Sequence, residues 1–199
     1  VTANFVAVSS LLVTAGTGGT ASGGGDFDDG AVVTIMATPD EGYRFAGWTG
    51  DGVVNANAAV TEVTVTAGIK VMATFVKEWA LVVLAGEGGA VAGAGTYDEG
   101  SVVVISAIPN EGYRFEKWTG ESVADPNASI TEVIVVGENA VTASFVKVWP
   151  LTVLGGVAGH VEGGGTYDDG TIVTITAVPE EGYRFASWTG DAVDDRTSA

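Results

Sequence analysis

Short runs of alternating apolar and polar residues, separated by turn residues, fill this chain from one end to the other. In Gly112–Trp118 (GYRFEKW), Tyr113 and Phe115 fall on one face of an extended strand, and Arg114 falls on the other. Runs of this length bounded by Gly, Pro, Asn or Asp are typical of β-strands. No longer window shows the apolar spacing of a helix. The pattern therefore predicts an all-β protein with little or no helix.

The middle third of the chain shows the predicted strands most clearly. A Gly-rich turn is expected through Thr96–Gly100, and Pro109 ends one run because proline has no amide proton to donate to a sheet. The predicted strands are Trp79–Leu84, Ala90–Gly93, Ser101–Ala107, Gly112–Trp118, Ile130–Val136 and Ala140–Lys147.

The whole pattern repeats with a period of 70 residues. The phrase EGYRF occurs at Glu41–Phe45, Glu111–Phe115 and Glu181–Phe185, and Trp-Thr-Gly follows each copy at the same offset. Such self-similarity indicates a tandem array of small β modules. The predicted boundaries are residues 10–79 (unit 1), 80–149 (unit 2) and a truncated 150–199 (unit 3). Residues 1–9 are interpreted as the terminal strand of an incomplete unit.

The composition of the chain excludes some binding partners and favours certain surroundings for the protein. Acidic residues outnumber basic ones by 25 to 8, for a net charge of −17, so nucleic acid and anionic membranes would be repelled. There is no cysteine, and no apolar stretch approaches the roughly 18 residues of a membrane helix. These properties favour a solvated protein that is secreted or displayed at a cell surface, with no membrane insertion and no nucleic-acid partner.

One extended motif resembles a known family. The stretch Gly165–Asp191 (GTYDDGTIVTITAVPEEGYRFASWTGD) and the run Ala140–Val146 (AVTASFV) resemble the divergent internalin-B-type B-repeat modules, and the likeness covers essentially the whole chain. The resemblance implies small β-grasp-like or β-sandwich-like modules in extracellular proteins of bacterial or archaeal surfaces. It implies no enzymatic activity.

A recurring aromatic group is the strongest candidate for either a core or a binding surface. Trp and Tyr rings stack on sugars in carbohydrate-binding proteins, but a small sheet also needs one large aromatic cluster for its core. We favour the core, with the Trp expected to be its most exposed member. The group comprises Tyr43, Phe45 and Trp48 in unit 1, Tyr113, Phe115 and Trp118 in unit 2, and Tyr183, Phe185 and Trp188 in unit 3.

Acidic pairs precede a glycine at one turn of every unit. Carboxylate oxygens are the ligands that calcium prefers, and a further acid in a neighbouring loop would add one. However, the spacing is not that of a calcium loop, and Asp-Gly is ordinary turn chemistry. We expect no cofactor, with calcium as the alternative. The residues are Asp28, Asp29 and Asp51; Asp98, Glu99 and Glu121; and Asp168, Asp169 and Asp191.

Three other polar features have more modest interpretations. Arg44 and its copies lie on the face opposite the aromatic rings, and Glu62 or Glu132 is the expected cross-strand partner. The single histidine, His160, has no cysteine or second histidine with which to form a metal or catalytic site, so it is interpreted as a surface residue. Asn127 begins the sequon Asn-Ala-Ser and is a possible glycosylation site.

The first eight residues, VTANFVAV, resemble the strands that close units 1 and 2, Val71–Glu78 and Val141–Val148. Unit 3 lacks such a strand within the given sequence. We therefore hypothesise donor-strand complementation, in which one chain's N-terminus completes unit 3 of another and builds a head-to-tail filament. The residues expected at this interface are Val1, Ala3, Phe5 and Ala7 on the donor, and Tyr183, Phe185 and Trp188 on the acceptor.

Two other functions stay open at this point. The array is also compatible with a stalk or adhesin region whose partners are the flanking repeats of the same protein. A glycan-binding module that uses the Trp face is the third alternative. The sequence slightly favours the filament.

Overall fold

The computed structural model describes residues 1–66, 68–191, 193–194 and 196, and within them it contains β-strands and no helix. The all-β prediction is confirmed. The strands are β1 (Val8–Ala15), β2 (Gly19–Ser22), β3 (Gly25–Asp28), β4 (Val32–Pro39), β5 (Tyr43–Thr49), β6 (Val60–Thr64), β7 (Ile69–Ala85), β8 (Gly89–Ala92), β9 (Gly95–Asp98), β10 (Val102–Pro109), β11 (Tyr113–Thr119), β12 (Ile130–Ile134), β13 (Asn139–Leu151), β14 (Gly159–Glu162), β15 (Gly165–Asp168) and β16 (Thr176–Pro179).

Unit 1 consists of a mixed main sheet and a small antiparallel sheet. In the main sheet the order is β3-β1-β7-β5, with β1 and β7 parallel at the centre and the outer pairs antiparallel. The small sheet has the order β2-β4-β6. A parallel central pair flanked by antiparallel strands is β-grasp-like, and unit 2 repeats the arrangement with the strands that follow.

The inward side chains of the two sheets form the core of each unit. Strand alternation brings Ile35 and Val63 from the small sheet against Leu11 and Val71 from the main sheet, and all four are almost completely buried. In unit 2 the same positions are occupied by Ile105, Val133, Leu81 and Val141.

The closing strand of one unit and the opening strand of the next are a single strand. Strand β7 runs for 17 residues; its first half pairs with β1 and β5, and its second half pairs with β9 and β13. Strand β13 connects units 2 and 3 in the same way. The unit boundary predicted near residue 80 therefore lies inside β7. The prediction that Trp79–Leu84 is a separate strand was wrong.

The predicted turn through Thr96–Gly100 was also partly wrong. Gly95–Asp98 forms β9, which pairs antiparallel with the second half of β7. Glycine and Asp made this segment resemble a loop, but pairing with β7 supplies the hydrogen bonds that local propensity did not predict.

Unit 3 is only partly formed in the described residues. Its strands are β14, β15, β16 and the last residues of β13, whereas the segment 183–189, the counterpart of β5 and β11, is not a strand. In units 1 and 2 that segment pairs with the closing strand. No such strand pairs with it among the described residues, and the amide of Trp188 donates instead to the carbonyl of Arg196 (2.8 Å).

No helix in the described residues is long and apolar enough to span a membrane.

Replacement of Ile105 tests the two-sheet core. Ile105 is fully buried in β10, whereas Ile108 in the same strand is 64% exposed. We expect Ile105→Ala to lower the free energy of unfolding of unit 2 by about 2–5 kcal/mol through a cavity, and Ile108→Ala by about 1 kcal/mol or less. Urea denaturation followed by circular dichroism measures both, and equal effects would contradict this core.

Candidate functional site at the junctions between units

The most elaborate polar chemistry of the chain lies where one unit meets the next. At the first junction, Lys77, Glu78 and Trp79 are the residues of β7 that pass from unit 1 to unit 2, and all three are half-buried. The amide of Glu78 donates to the carbonyl of Gly42 (2.8 Å), and Lys77 accepts from the amide of Glu99 (2.8 Å). The turn before β5 and the turn after β9 are thereby tied to the same three residues of β7.

An arginine of one unit also holds an aspartate of the next. Arg44 on β5 donates through Nε to Oδ1 of Asp98 (2.6 Å) and through its terminal nitrogen to Oδ2. This is a two-point contact between the planar guanidinium and the carboxylate, the strongest geometry for such a pair. The guanidinium also donates to the carbonyl of Phe45 (3.4 Å). We call this contact the Arg–Asp clamp.

The expected partner of Arg44 was therefore wrong. Glu62 lies on β6 of the small sheet, where it pairs with Thr34, whereas Arg44 lies on β5 of the main sheet opposite Val76. Glu132 holds the equivalent small-sheet position in unit 2, opposite Val104. The two sheets place the predicted partners on different layers, and the side chain of Arg44 reaches across the junction.

The clamp recurs at the second junction with nearly the same geometry. Arg114 donates through Nε to Oδ1 of Asp168 (2.6 Å) and to the carbonyl of Phe115 (3.1 Å). The amide of Val148 donates to the carbonyl of Gly112 (2.8 Å), as Glu78 does at the first junction. Each clamp joins residues 54 apart in the sequence.

The clamp shifts the ionisation of its aspartates. Hydrogen bonds from Arg44 are the main cause that holds the pKa of Asp98 below its ordinary value; partial desolvation opposes them, and coulombic attraction reinforces them. The pKa of Asp168 is lowered by Arg114 in the same way. Both side chains keep more than a third of their surface exposed, so the pair is screened by solvent and orients the units more than it stabilises them.

A Lys–Trp pair completes each junction. The Nζ atom of Lys77 lies 3.9 Å from the ring centroid of Trp79, and the indole of Trp79 donates to Glu99 (3.2 Å). Sequence reasoning missed this pair, although the pattern Lys-x-Trp recurs with the 70-residue period. At the second junction Lys147 lies 4.3 Å from Trp149, which donates to Asp169 (2.9 Å).

The start of unit 1 carries a smaller version of the same contact. Ser9 occupies the position of Trp79, and its hydroxyl donates to Oδ1 of Asp29 (2.9 Å). Ala7 occupies the position of Lys77, and its carbonyl accepts from the amide of Asp29 (2.8 Å). Asp29 thus keeps the acceptor role that Glu99 has at the first junction, whereas Ser9 replaces the donor Trp79 and Ala7 replaces the cation Lys77.

The recurring aromatic group is core in units 1 and 2, and the expected order of exposure within it was wrong. Trp48 is 4% exposed and Trp118 is 2% exposed, and each indole donates to a loop carbonyl, of Ala58 (3.0 Å) and Ala128 (3.1 Å). Trp is the most buried member because its N–H finds this partner inside the unit. Neither indole presents a face to a sugar. Tyr43, Phe45, Tyr113 and Phe115 are half-buried, with each Phe 5.8 Å from its Trp.

The corresponding group in unit 3 borders open space. Phe185 lies 5.3 Å from Trp188, and Tyr183 is 65% exposed. Two clefts, of about 390 and 580 Å³, meet at Trp188. The first is lined in part by Val161 and the second by Ile175.

The proposed donor residues lie far along the chain from these clefts. Val1, Ala3, Phe5 and Ala7 precede β1 and belong to no strand, and Phe5 is 92% exposed. Within one chain they precede unit 1, whereas Tyr183, Phe185 and Trp188 lie in unit 3.

The acidic pair at the first junction binds other side chains of the protein. Asp98 holds Arg44, and Glu99 accepts from Trp79. Among the described residues, no three His, Cys, Asp or Glu side chains are grouped as metal ligands would be. Asp51, Glu121 and Asp191 lie in the exposed turn that follows each Trp-Thr-Gly.

His160 and Asn127 lie in ordinary surroundings. His160 is in β14 opposite Val178 and borders one cleft of unit 3. Asn127 is exposed in the loop between β11 and β12, and its amide donates to the side chain of Asp125 (2.9 Å).

The fold and the junctions together define an all-β tandem-repeat protein in which neighbouring units share strands. A family model described as the divergent InlB B-repeat domain matches residues 9–78, 80–148 and 149–199, so the chain belongs to this family. The resemblance noted from the motifs is thereby confirmed. The family is typical of extracellular surface proteins. No curated protein and no solved structure matches the chain.

Acid titration tests the Arg–Asp clamp. Because the pKa of Asp98 is lowered in the folded protein, the clamp's contribution is complete above the ordinary aspartate pKa of about 3.9 and is lost as the pH falls through the lowered value. In Arg44→Met we expect the carboxyl carbon of Asp98, followed by NMR, to titrate at higher pH than in the wild type.

Arg114→Met is the matched control, since it removes the other clamp and should leave the titration of Asp98 unchanged. Identical Asp98 curves in the wild type and Arg44→Met would show that the clamp does not form in solution.

Proposed function

We propose that this chain is a non-enzymatic, extracellular spacer: a stalk segment whose repeats hold one another in a fixed orientation. The single observation that carries the proposal is the continuity of β7 through the first junction, which leaves no linker between units. A strand that is hydrogen-bonded on both sides in each unit cannot bend at the junction without breaking sheet bonds.

The other contacts at the junction restrain the remaining motions. The Arg–Asp clamp lies between β5 of one unit and β9 of the next, so it resists twisting about the shared strand. The backbone bonds from Glu78 to Gly42 and from Glu99 to Lys77 resist hinging. Because both junctions carry these contacts, each added unit extends the array in a similar direction, as in other repeat proteins.

The composition supports a place outside the cell for this spacer. A net charge of −17 keeps an extended array soluble and discourages collapse of one unit onto another. Stability comes from the paired cores and the shared strands, with no disulfide required.

Insertion of a flexible linker tests the spacer directly. We expect Gly-Gly-Ser-Gly inserted between Glu78 and Trp79 to broaden, by about two-fold or more, the distribution of distances between spin labels in units 1 and 2. Cysteines introduced at the exposed loop residues Asn57 and Asn127 would carry the labels, since the chain has no cysteine of its own.

The same insertion after Gly137, in the turn between β12 and β13, is the control and should leave the distribution narrow. A wild-type distribution as broad as that of the junction insertion would refute a fixed orientation.

A second function, assembly by strand donation, is favoured by the open clefts of unit 3. In unit 2 the closing strand lies between β7 and β11, with Val141 opposite Val83 and Ala143 opposite Trp118. Both clefts border Trp188, the counterpart of Trp118 in unit 3. A second copy's exposed N-terminal segment has the matching pattern, with Val1 and Ala3 at the two inward positions.

The repeat fixes the register that this assembly requires. Thr119 pairs with Thr142 in unit 2, so Thr2 of one chain would lie opposite Thr189 of another. We expect the double variant Thr2→Cys/Thr189→Cys to form a ladder of disulfide-linked oligomers, because directly opposite residues come within the roughly 4.4–6.8 Å between Cα atoms that a disulfide needs.

Val6→Cys/Thr189→Cys places the cysteines out of register and should form far less of the ladder. Equal ladders from the two variants, or none from either on a non-reducing gel, would exclude donation in this register.

A further inference from the structure

Most outward positions on the small sheet of unit 2 carry apolar side chains; the exceptions on β10 and β12 are Ser106 and Glu132. Strand β10 turns Ile105 into the core and turns Val102, Val104 and Ile108 outward, with 59%, 59% and 64% of their surface exposed. The neighbouring β12 adds Ile130, which is 66% exposed. We define the outer face of unit 2 as Val102, Val104, Ile108, Ile130, Ile134 and Val136.

Unit 1 shows that the fold does not require an apolar surface here. Val104, Ile108 and Ile134 correspond to Thr34, Thr38 and Thr64, which occupy the same strand positions in unit 1. These replacements run from hydroxyl-bearing to apolar side chains, and the one outward position that runs the other way is Ser106, which stands where unit 1 has Met36. In unit 2 the apolar positions are Ala90, Ala92, Val104, Ile108, Ile134 and Val136, and their counterparts in unit 1 are Thr20, Ser22, Thr34, Thr38, Thr64 and Thr66.

The size of this face points to an interaction. Six exposed β-branched side chains present roughly 500 Å² of apolar surface, near the upper end of what a typical soluble monomer exposes. The one charged residue among the outward positions of its strands is Glu132, on β12 between Ile130 and Ile134 and opposite Val104.

We propose that the outer face of unit 2 is a docking surface for the same face of a second copy, related by a two-fold axis. Flat sheet faces of β-branched residues pack on one another at about 10 Å, and a two-fold contact needs only one self-complementary patch. About 500 Å² from each copy gives about 1,000 Å² in total, at the lower end of specific interfaces. The dimer is therefore weak and reversible.

The location of the face leaves the junctions undisturbed. The Arg–Asp clamps join strands of the main sheets, β5 to β9 and β11 to β15, whereas the outer face belongs to the small sheet β12-β10-β8. Two spacers can thus pair side by side through their middle units. Because each copy carries a charge of −17, pairing strengthens as added salt screens the repulsion.

Sedimentation velocity on the full chain tests the proposal. The measurement is made on Phe5→Asp, which disables strand donation without touching the outer face, in low salt and in about 1 M NaCl, where the Debye length is about 3 Å. We expect a monomer–dimer equilibrium that tightens with salt. Val104→Thr/Ile108→Thr/Ile134→Thr should raise the dimer dissociation constant at least ten-fold.

The repeats supply matched controls for this variant. The triple threonine variant should stay folded, as checked by circular dichroism, because unit 1 folds with threonine at these positions. Val32→Thr/Val60→Thr removes comparably exposed residues from the small sheet of unit 1 and should leave the dimer unchanged.

Two results would overturn the proposal. One is a monomer at every concentration in high salt. The other is a triple variant that dimerises as tightly as its parent.

Discussion

The parallel pairing of the closing strand with the opening strand of its own unit is the interaction on which the rest of this structure depends. In unit 1 the closing half of β7 is central to the main sheet, with β1 on one side and β5 on the other. It also brings Val71 and Ala73 into the core. In unit 3 the segment 183–189 is not a strand, and Tyr183 is largely exposed.

Because the same strand continues into the next unit, folding and orientation are coupled. The second half of β7 is the opening strand of unit 2, and it starts within one residue of the point where unit 1 ends. A small unit of this size has a limited core, and sharing a strand lets each unit stabilise its neighbour. The polar contacts at the two junctions add direction, because an arginine of units 1 and 2 binds an aspartate near the start of the following unit.

The sequence predicted the strands within each unit but not the contacts between units. The 70-residue period, the Pro at the end of β10 and the alternation around Phe115 predicted the strands within a unit, because these signals are local. The continuity of β7 was missed because Val71–Glu78 was interpreted as the strand that closes unit 1 and Trp79–Leu84 as a separate strand that opens unit 2. The Arg44–Asp98 clamp joins residues 54 apart in different units, and no local pattern specifies such a contact. Trp48 and Trp118 were expected to be the most exposed members of the aromatic core, because burial of an indole depends on a loop carbonyl that only the fold supplies.

Amide hydrogen exchange at the junction would test the central claim, that the shared strand is continuous in solution, most directly. The account predicts that the amide of Glu78, which binds the carbonyl of Gly42, is protected nearly as well as that of Val71 in the core of unit 1. Exchange of the Glu78 amide as fast as that of an exposed turn residue such as Gly137 would mean that the junction opens freely. The units would then be separate modules on a flexible tether.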